Sequence, residues 1–319
     1  MVYPILGPLL FLVMVAALPE YITRGTSNNV KAKMMCYADD STLYASSKSI
    51  DSLIIELERM SARMIAYCKE VGLIINDEKT QMLVSGIKNK EISVKVGNSC
   101  INPSKELNLL GITYDSNFST APYLRKLASE AKTRAAIIHR LSYSVPPHLL
   151  KTFTNGLLIG KIMFAAPAAI PFRLIQEDKG AVTLTESINC AIKSAARTIA
   201  RVRLKDKIRT EIVLKKAGLR SLNELVACAS ATMVWKSKMC MDPLAELLFS
   251  NHVTNSVKTI STRSETGNKA GLPVPGCCTL AANLLARAWN EAPNLKSSYG
   301  LGAAKLAASN WAKSLQIKF

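Results

Sequence analysis

The sequence has few aromatic residues, few histidines and too few acidic residues to balance its basic ones. Aromatic residues make up 6% of the 319 positions, so Leu, Ile, Ala and Val must do most of the core packing. The three histidines have no partner at zinc-ligand spacing, and the eight cysteines include no Cys-x-x-Cys pair, which argues against a zinc-binding module. Because cysteine is often a small buried hydrophobe, reduced thiols in an intracellular protein are the simplest interpretation.

The deficit of acidic residues leaves a large positive charge. The chain has 41 Lys and Arg against 23 Asp and Glu, a formal charge of +18. Residues 121–220 contain 19 basic and 6 acidic residues, a local surplus of +13. The usual polyanionic partners of such a band are nucleic acids and anionic membranes, although a soluble basic protein without such a partner remains an alternative.

Length and hydrophobic content exclude a small disulfide scaffold and a disordered tail. With 49% hydrophobic residues, 319 residues can bury one large core or two to three modest ones.

An apolar segment lies near the N-terminus, at residues 2–22. Its apolar run, residues 5–18, is shorter than the ~20 residues that a helix needs to cross a bilayer, and no positive region precedes it. Pro8 also interrupts the run. We therefore predict a buried core helix entered through a Gly-Pro turn and expect no stable membrane insertion, with a membrane-anchored or secreted protein as the alternative.

Two β-competent runs, residues 32–38 and 41–45, flank Asp39 and Asp40 and predict a hairpin with these two acidic residues at its tip. Asp51 is the predicted N-cap of the following helix, and Gly72 is its predicted end. Further strands are predicted at 73–75 and 81–84.

The later part of the chain is predicted to be helical, so the predicted fold class is α+β, with antiparallel strands and a packed helix followed by a mostly α-helical region. The predicted helices are 120–143, 147–163, 180–203, 208–217, 221–240 and 300–317. Residues 245–280 are rich in Ser, Thr, Asn and Gly and predict a loop.

Asp39 and Asp40 are two adjacent carboxylates that repel each other unless a cation lies between or beside them. Oxygen-only ligation of this kind suits Mg²⁺ or Mn²⁺. Because side chains alternate along a strand, only one of the two need bind a metal directly. The alternative is that Asp-Asp is an ordinary turn dipeptide.

At Tyr37-Ala38-Asp39-Asp40 the sequence resembles the reverse transcriptase of non-LTR, LINE-type retrotransposons, in which such a box is a catalytic motif of the palm. Three further segments resemble family motifs in the same order: Leu6-Gly7-Pro8-Leu9-Leu10-Phe11, Gly72-Leu73-x-x-Asn76-x-x-Lys79-Thr80 and Leu110-Gly111-Ile112. The resemblance implies an RNA-directed DNA polymerase that acts on an RNA template, a DNA primer and dNTPs, with Mg²⁺ or Mn²⁺ and no other small-molecule cofactor.

The resemblance also implies roles for particular residues. Asp39 would bind metal with Asp40 shaping the site, and Tyr37 would pack near the primer terminus. Lys79 would neutralise the leaving pyrophosphate, or else be a solvated turn lysine. Gly111 would let the backbone turn close to the primer, or simply turn at a strand end.

By resemblance, residues 1–112 are the C-terminal part of the palm, 113–244 a basic helical thumb-like domain, and 245–319 a loop-rich C-terminal region with a terminal helix. The thumb offers cations that can grip the nucleic-acid backbone without reading its sequence. They are Arg125, Lys126, Lys132, Arg134, Arg140 and Lys151, then Arg197, Arg201, Arg203, Lys205, Lys207 and Arg209.

The chain departs from the family pattern in one important respect. We expect a working palm to need a further aspartate on a strand upstream of the Gly-Pro segment, and this sequence begins too late to contain it. We therefore expect an N-terminally truncated fragment that does not polymerise DNA alone, in an intracellular setting, cytoplasmic or nuclear. The alternative is a non-enzymatic basic protein that binds nucleic acid.

Overall fold

The computed structural model of the chain describes residues 6–86, 92–170, 179–239, 288–292 and 294–315. The chain divides into two compact units, Met1–Ser119 and Thr120–Phe319. Our prediction of a loop at 245–280 falls outside the described residues.

The first unit begins with helix α1, Leu6–Val15, and helix α2, Leu18–Thr23. The prediction of a buried core helix is wrong for α1, because Val15 is its one buried residue. Apolar side chains surround this helix on all sides, so it has no single face to turn toward a core. More than half of the surface is exposed in Leu6, Leu9, Leu10, Leu12 and Val13.

The core of the first unit is built from α2, a β-hairpin and helix α3. The hairpin strands are β1, Val30–Tyr37, and β2, Asp40–Ser47, and α3 covers Ile50–Glu70. The fully buried centre contains Leu18, Ile22, Met34 and Met60. Both strands of the hairpin pack against α3.

The N-cap of helix α3 lies two residues before the predicted cap, Asp51. Ser49 is the N-cap, and its hydroxyl accepts a 3.4 Å hydrogen bond from the backbone N–H of Ser52. Asp51 instead lies in the first turn, where a carboxylate favours the positive end of the helix dipole. Gly72 ends the helix as predicted, with a left-handed φ of 75°.

Four short strands complete the first unit in two further antiparallel pairs. Strand β3, Val94–Val96, pairs with β4, Ser99–Ile101, and β5, Glu106–Leu109, pairs with β6, Ile112–Asp115. The predicted strands at 73–75 and 81–84 are wrong, since this stretch holds a 3-10 turn, Asp77–Lys79, and one isolated bridge at Met82. The polar residues 76–80 separate two apolar runs that are each too short to form a paired strand here.

The second unit is helical, as predicted. Its elements are α4 Ala121–Leu141, α5 Pro147–Thr154, α6 Gly160–Met163, α7 Ala166–Ala169, α8 Lys179–Ala200, α9 Thr210–Ala217, α10 Leu222–Met239 and α11 Leu301–Ser314. Helices α4 and α8 pack closely along their buried stripes, and α10 packs against α11. Residues 288–291 form a further helical segment.

A π-helical turn, Asn155–Ile159, interrupts the helix predicted at 147–163. At the end of that turn the N–H of Gly160 donates to the carbonyl of Asn155. A Cβ on Gly160 would lie 3.3 Å from that carbonyl oxygen, so glycine fits this wider turn. With small antiparallel strand pairs in one unit and helices in the other, the fold class is α+β, as predicted.

Candidate functional site

The hairpin tip is a two-residue turn formed by Ala38 and Asp39. Strands β1 and β2 are paired as far as Tyr37 and Asp40, which face each other as the last pair of the ladder. The predicted tip, Asp39 and Asp40, is therefore displaced by one residue. Ala38 takes a positive φ of 52°, because tight hairpin turns favour left-handed backbone at their first central position.

The two faces of the hairpin have different roles. Ala32, Met34 and Cys36 alternate along β1 and pack into the core of the first unit. The intervening residues Met35 and Tyr37 project outward and are 58% and 69% exposed. Asp40, paired with Tyr37, belongs to this same outer face.

Both acidic side chains at the tip are exposed. Within the described ranges, neither carboxylate has a hydrogen-bond or ion-pair partner that would occupy its oxygens. The described residues also contain no group of three or more His, Cys, Asp or Glu placed to hold a metal ion. The tip therefore supplies the oxygen donors that Mg²⁺ prefers, but only part of a ligand set.

Cys36 and Cys68 lie behind the tip on its core side. Burial raises the pKa of the Cys68 thiol, and the nearby Cys36 raises it further. On β2, the Ser41 hydroxyl donates to the Cys36 sulfur at 3.8 Å. These contacts make the inner face of the hairpin apolar and neutral, in contrast to its acidic end.

Lys79 closes the 3-10 turn, and its side chain is exposed. Asn76 organises this turn: its side-chain oxygen accepts from the Lys79 N–H at 3.2 Å, and its carbonyl accepts from the Thr80 hydroxyl at 3.0 Å. Among the described residues, the Lys79 ammonium forms no ion pair with Asp39 or Asp40. Its role toward a phosphate stays a prediction.

Gly111 lies with Leu110 in the two-residue hairpin turn between β5 and β6. Both turn residues have left-handed backbone, with φ of 49° at Leu110 and 84° at Gly111. This is the conformation that a tight hairpin turn requires, and glycine adopts it without strain. The predicted turn is present, while its contact with a primer stays a prediction.

Four of the five predicted phosphate contacts on α4 share the exposed side of that helix. Its buried stripe, which includes Leu127, Ala131 and Ile138, faces the core of the second unit. Arg125, Lys132 and Arg140 follow one another at intervals of seven and eight residues, which is about 10–12 Å along the helix axis. They and Lys126 are exposed.

Arg134 differs from the other cations of α4 because it is half-buried and serves the fold. Its Nη1 donates a 2.7 Å hydrogen bond to the carbonyl of Leu157, within the π-helical turn. Nη1 is therefore occupied, and only the remaining N–H groups of the guanidinium are available to a phosphate.

A cleft that the sequence did not predict lies in the second unit. Its volume is about 560 Å³, and three cations, Arg220, Lys236 and Lys305, line it together with Cys228 and Met233. The Arg220 guanidinium donates to the Cys228 sulfur at 3.5 Å. Since these cations come from segments up to 85 residues apart, no local motif could have revealed the grouping.

Comparisons with known proteins bear on the first unit alone. No curated protein and no solved structure gives a significant match to the chain. Residues 5–114, about a third of the chain, match a protein-family model. This range contains Asp39, Asp40, Lys79 and Gly111. The family so matched over residues 5–114 is the reverse transcriptase (RNA-dependent DNA polymerase) family.

Proposed function

We propose that this chain is part of the reverse transcriptase of a LINE-type retrotransposon, with palm residues at 1–112 and a thumb-like domain at 113–244. The observation that carries the proposal is the family match, whose range includes an exposed hairpin tip with two carboxylates that have no partner among the described residues. The reaction of this family joins a nucleotide to a primer 3′-hydroxyl, with RNA as template. The proposed setting is intracellular, cytoplasmic or nuclear.

The side chains of the hairpin have distinct proposed roles. Asp39, at the tip, holds a divalent cation through its carboxylate, and Asp40 adds negative charge on the outer face. When bound, Mg²⁺ or Mn²⁺ activates the primer hydroxyl and stabilises the leaving pyrophosphate. Tyr37, 69% exposed beside Asp40, offers its ring to the primer terminus. Lys79 neutralises charge on the pyrophosphate.

We further propose that the chain alone does not extend a primer at a useful rate. The two tip carboxylates are too few to hold two metal ions, and the described residues supply no third carboxylate beside them. The test is extension of an oligo(dT) primer on poly(rA) with Mg²⁺ or Mn²⁺. Robust incorporation that disappears in Asp39→Asn would contradict the proposal.

The second candidate function is binding of nucleic acid without catalysis, and the exposed cations of α4 favour it. Filter binding of an RNA–DNA duplex over a series of salt concentrations tests it, because affinity falls steeply with salt when several phosphates are neutralised. Lack of binding at low salt would exclude both this function and the thumb-like role of residues 113–244.

A membrane anchor is the lesser alternative. Leu6–Thr23 is long and apolar enough to cross a membrane by length and composition, a property it shares with core helices and signal sequences. We propose no stable insertion, because Leu18 and Ile22 in the second half are 3% and 0% exposed within the protein core. Inserting this half would remove α2 from that core. Carbonate extraction of a membrane fraction tests this: recovery in the pellet would favour the anchor.

A further inference from the structure

The loop between α8 and α9, residues 201–209, concentrates positive charge in a short exposed segment, here called the basic loop. It contains five cations, Arg201, Arg203, Lys205, Lys207 and Arg209, and one acidic residue, Asp206. All five cations are exposed, whereas Val202 is 8% exposed and anchors the loop in the core of its unit.

The basic loop has a defined shape. The Asp206 carboxylate accepts a 2.7 Å hydrogen bond from the N–H of Arg203, and the Asp206 N–H donates back to the Arg203 carbonyl at 3.1 Å. Lys207 donates to the carbonyl of Leu204 at 3.3 Å. The single acidic residue is thus used to close the turn, which leaves the cations facing solvent.

Two residues in left-handed conformation bracket this turn. Arg201 has a φ of 52° and Lys207 a φ of 48°. Residues other than glycine rarely adopt this conformation, because their Cβ then crowds the following carbonyl oxygen. Between these two residues the loop exposes one large apolar side chain.

That side chain is Leu204, at the apex of the turn, which is 81% exposed. It contributes almost no apolar burial to the fold, although cations stand on both sides of it in the sequence. A cationic loop with one projecting apolar side chain suits a partner with an anionic exterior and an apolar interior, because the cations bind the exterior while the side chain reaches the interior. Stacked bases behind a phosphate backbone have that character.

We propose that the basic loop binds a nucleic-acid duplex, with its cations on the phosphates and Leu204 inserted between stacked bases from the minor groove. Proteins that kink duplexes insert leucine and similar apolar side chains in this way. The proposal rests on the proposed function, since it assigns one contact within the nucleic-acid interface.

The composition of the loop favours a duplex over its competitors. Proteins that bind single strands stack the bases on aromatic side chains, and residues 201–209 contain none. Anchoring in a membrane surface uses an extended apolar face, whereas this loop exposes one leucine. Insertion between two stacked bases needs only one apolar side chain with positive charges beside it; Leu204 in this role is called the wedge below.

The test uses the full chain and an RNA–DNA duplex that carries 2-aminopurine, a base whose fluorescence rises when it is unstacked. Leu204→Ala is expected to weaken duplex binding about tenfold and to abolish the fluorescence rise, whereas Leu204→Met retains both. Leu306→Ala is the matched control, because Leu306 is also exposed, at 64%, in the same unit.

The salt dependence separates the wedge from the charges around it. Leu204→Ala removes no charge, so the slope of log affinity against log salt should stay as in the parent, while Lys205→Ala with Lys207→Ala should make it shallower. If Leu204→Ala binds the duplex and raises the fluorescence as the parent does, Leu204 does not insert between the bases. Salt-dependent binding through the cations would then still stand. Binding to phosphatidylserine vesicles that needs Leu204, with no effect on the duplex, would overturn the wedge in favour of a lipid surface.

Discussion

The guanidinium of Arg59 donates from Nε to both carboxylate oxygens of Glu56, at 3.2 Å each, one turn apart on α3. Glu56 is 4% exposed and the Arg59 side chain is 28% exposed, so the carboxylate lies largely out of water while the arginine is partly solvated. The same arginine also donates to the carbonyls of Arg24, at 3.1 Å, and Ile22, at 3.4 Å. It therefore fastens the end of α2 to the helix that supports the hairpin.

Arg59→Met should lower the free energy of unfolding of the first unit by about 1–3 kcal/mol, because it leaves a buried carboxylate without its charged partner. Lys69→Met, at an exposed site on the same helix, should change it by less than about 0.5 kcal/mol. Hydrogen exchange of the α3 amides measures both. Equal exchange in the two variants would show that the pair contributes nothing to stability.

The pH dependence of stability should follow from the same pair. The hydrogen bond from Arg59 holds the pKa of Glu56 below its ordinary value of 4.5. A lowered folded-state pKa gives stabilisation that is fully present above pH 4.5 and lost as the pH falls through the folded value. Glu56→Gln should therefore show a smaller loss of stability than the parent in urea unfolding compared at pH 5 and pH 3. An identical loss in both would mean that other groups control acid unfolding.

Met60→Ala should destabilise the first unit by about 2–5 kcal/mol, because Met60 is fully buried beneath the hairpin and alanine leaves a cavity. Ile55→Ala, on the same helix at 66% exposure, is the matched control and should be nearly neutral. The fluorescence of the three tryptophans, Trp235, Trp289 and Trp311, all in the second unit, serves as an internal reference. Local exchange in α3 that is unchanged by Met60→Ala would contradict the packing of Met60 beneath the hairpin.

The cysteines should differ sharply in reactivity. Burial raises the pKa of the Cys68 thiol and also blocks access to it, whereas Cys100 is exposed. Iodoacetamide at pH 8 should therefore modify Cys100 at least about tenfold faster than Cys68 under native conditions. Mass spectrometry of the peptides measures the two rates, and urea should equalise them. Equal rates without urea would show that α3 opens readily.

The stripe of cations on α4 should control the salt dependence of nucleic-acid binding. Replacing Arg125, Lys132 and Arg140 by Ala should reduce the slope of log affinity against log salt by about 0.9 for each phosphate that the variant no longer neutralises. The charge-matched control replaces Lys48, Lys69 and Lys95, all exposed in the first unit. The same reduction in both triple variants would point to net charge rather than to a binding surface.

Local signals in the sequence account for much of the fold. The hairpin and the helices of the second unit follow from residue patterns, because periodicity and turn residues lie within a few positions of each other. The tip was misplaced by one residue because Ala38, which has no evident preference for left-handed backbone, occupies the turn position expected of glycine or asparagine.

Other features depend on partners that are distant in sequence. The π-helical turn is supported by a hydrogen bond from Arg134, which lies 23 residues before its acceptor, Leu157. No pattern within residues 155–159 predicts the turn. The roles of Asp39 and Asp40 likewise depend on ligands beyond the hairpin, so the motif predicts their chemistry while the described residues do not complete it.

The apolar surface of α1 has a practical consequence for anyone who purifies this chain. Leu9, Leu12 and Val13 present more than half of their area to water, so dilute protein should be retained on a phenyl column. Light scattering should rise with concentration even where the charge of +18 would otherwise keep molecules apart. Glutamate at these positions is a direct route to a better-behaved sample, since each replacement lies outside the packed core of α2 and α3.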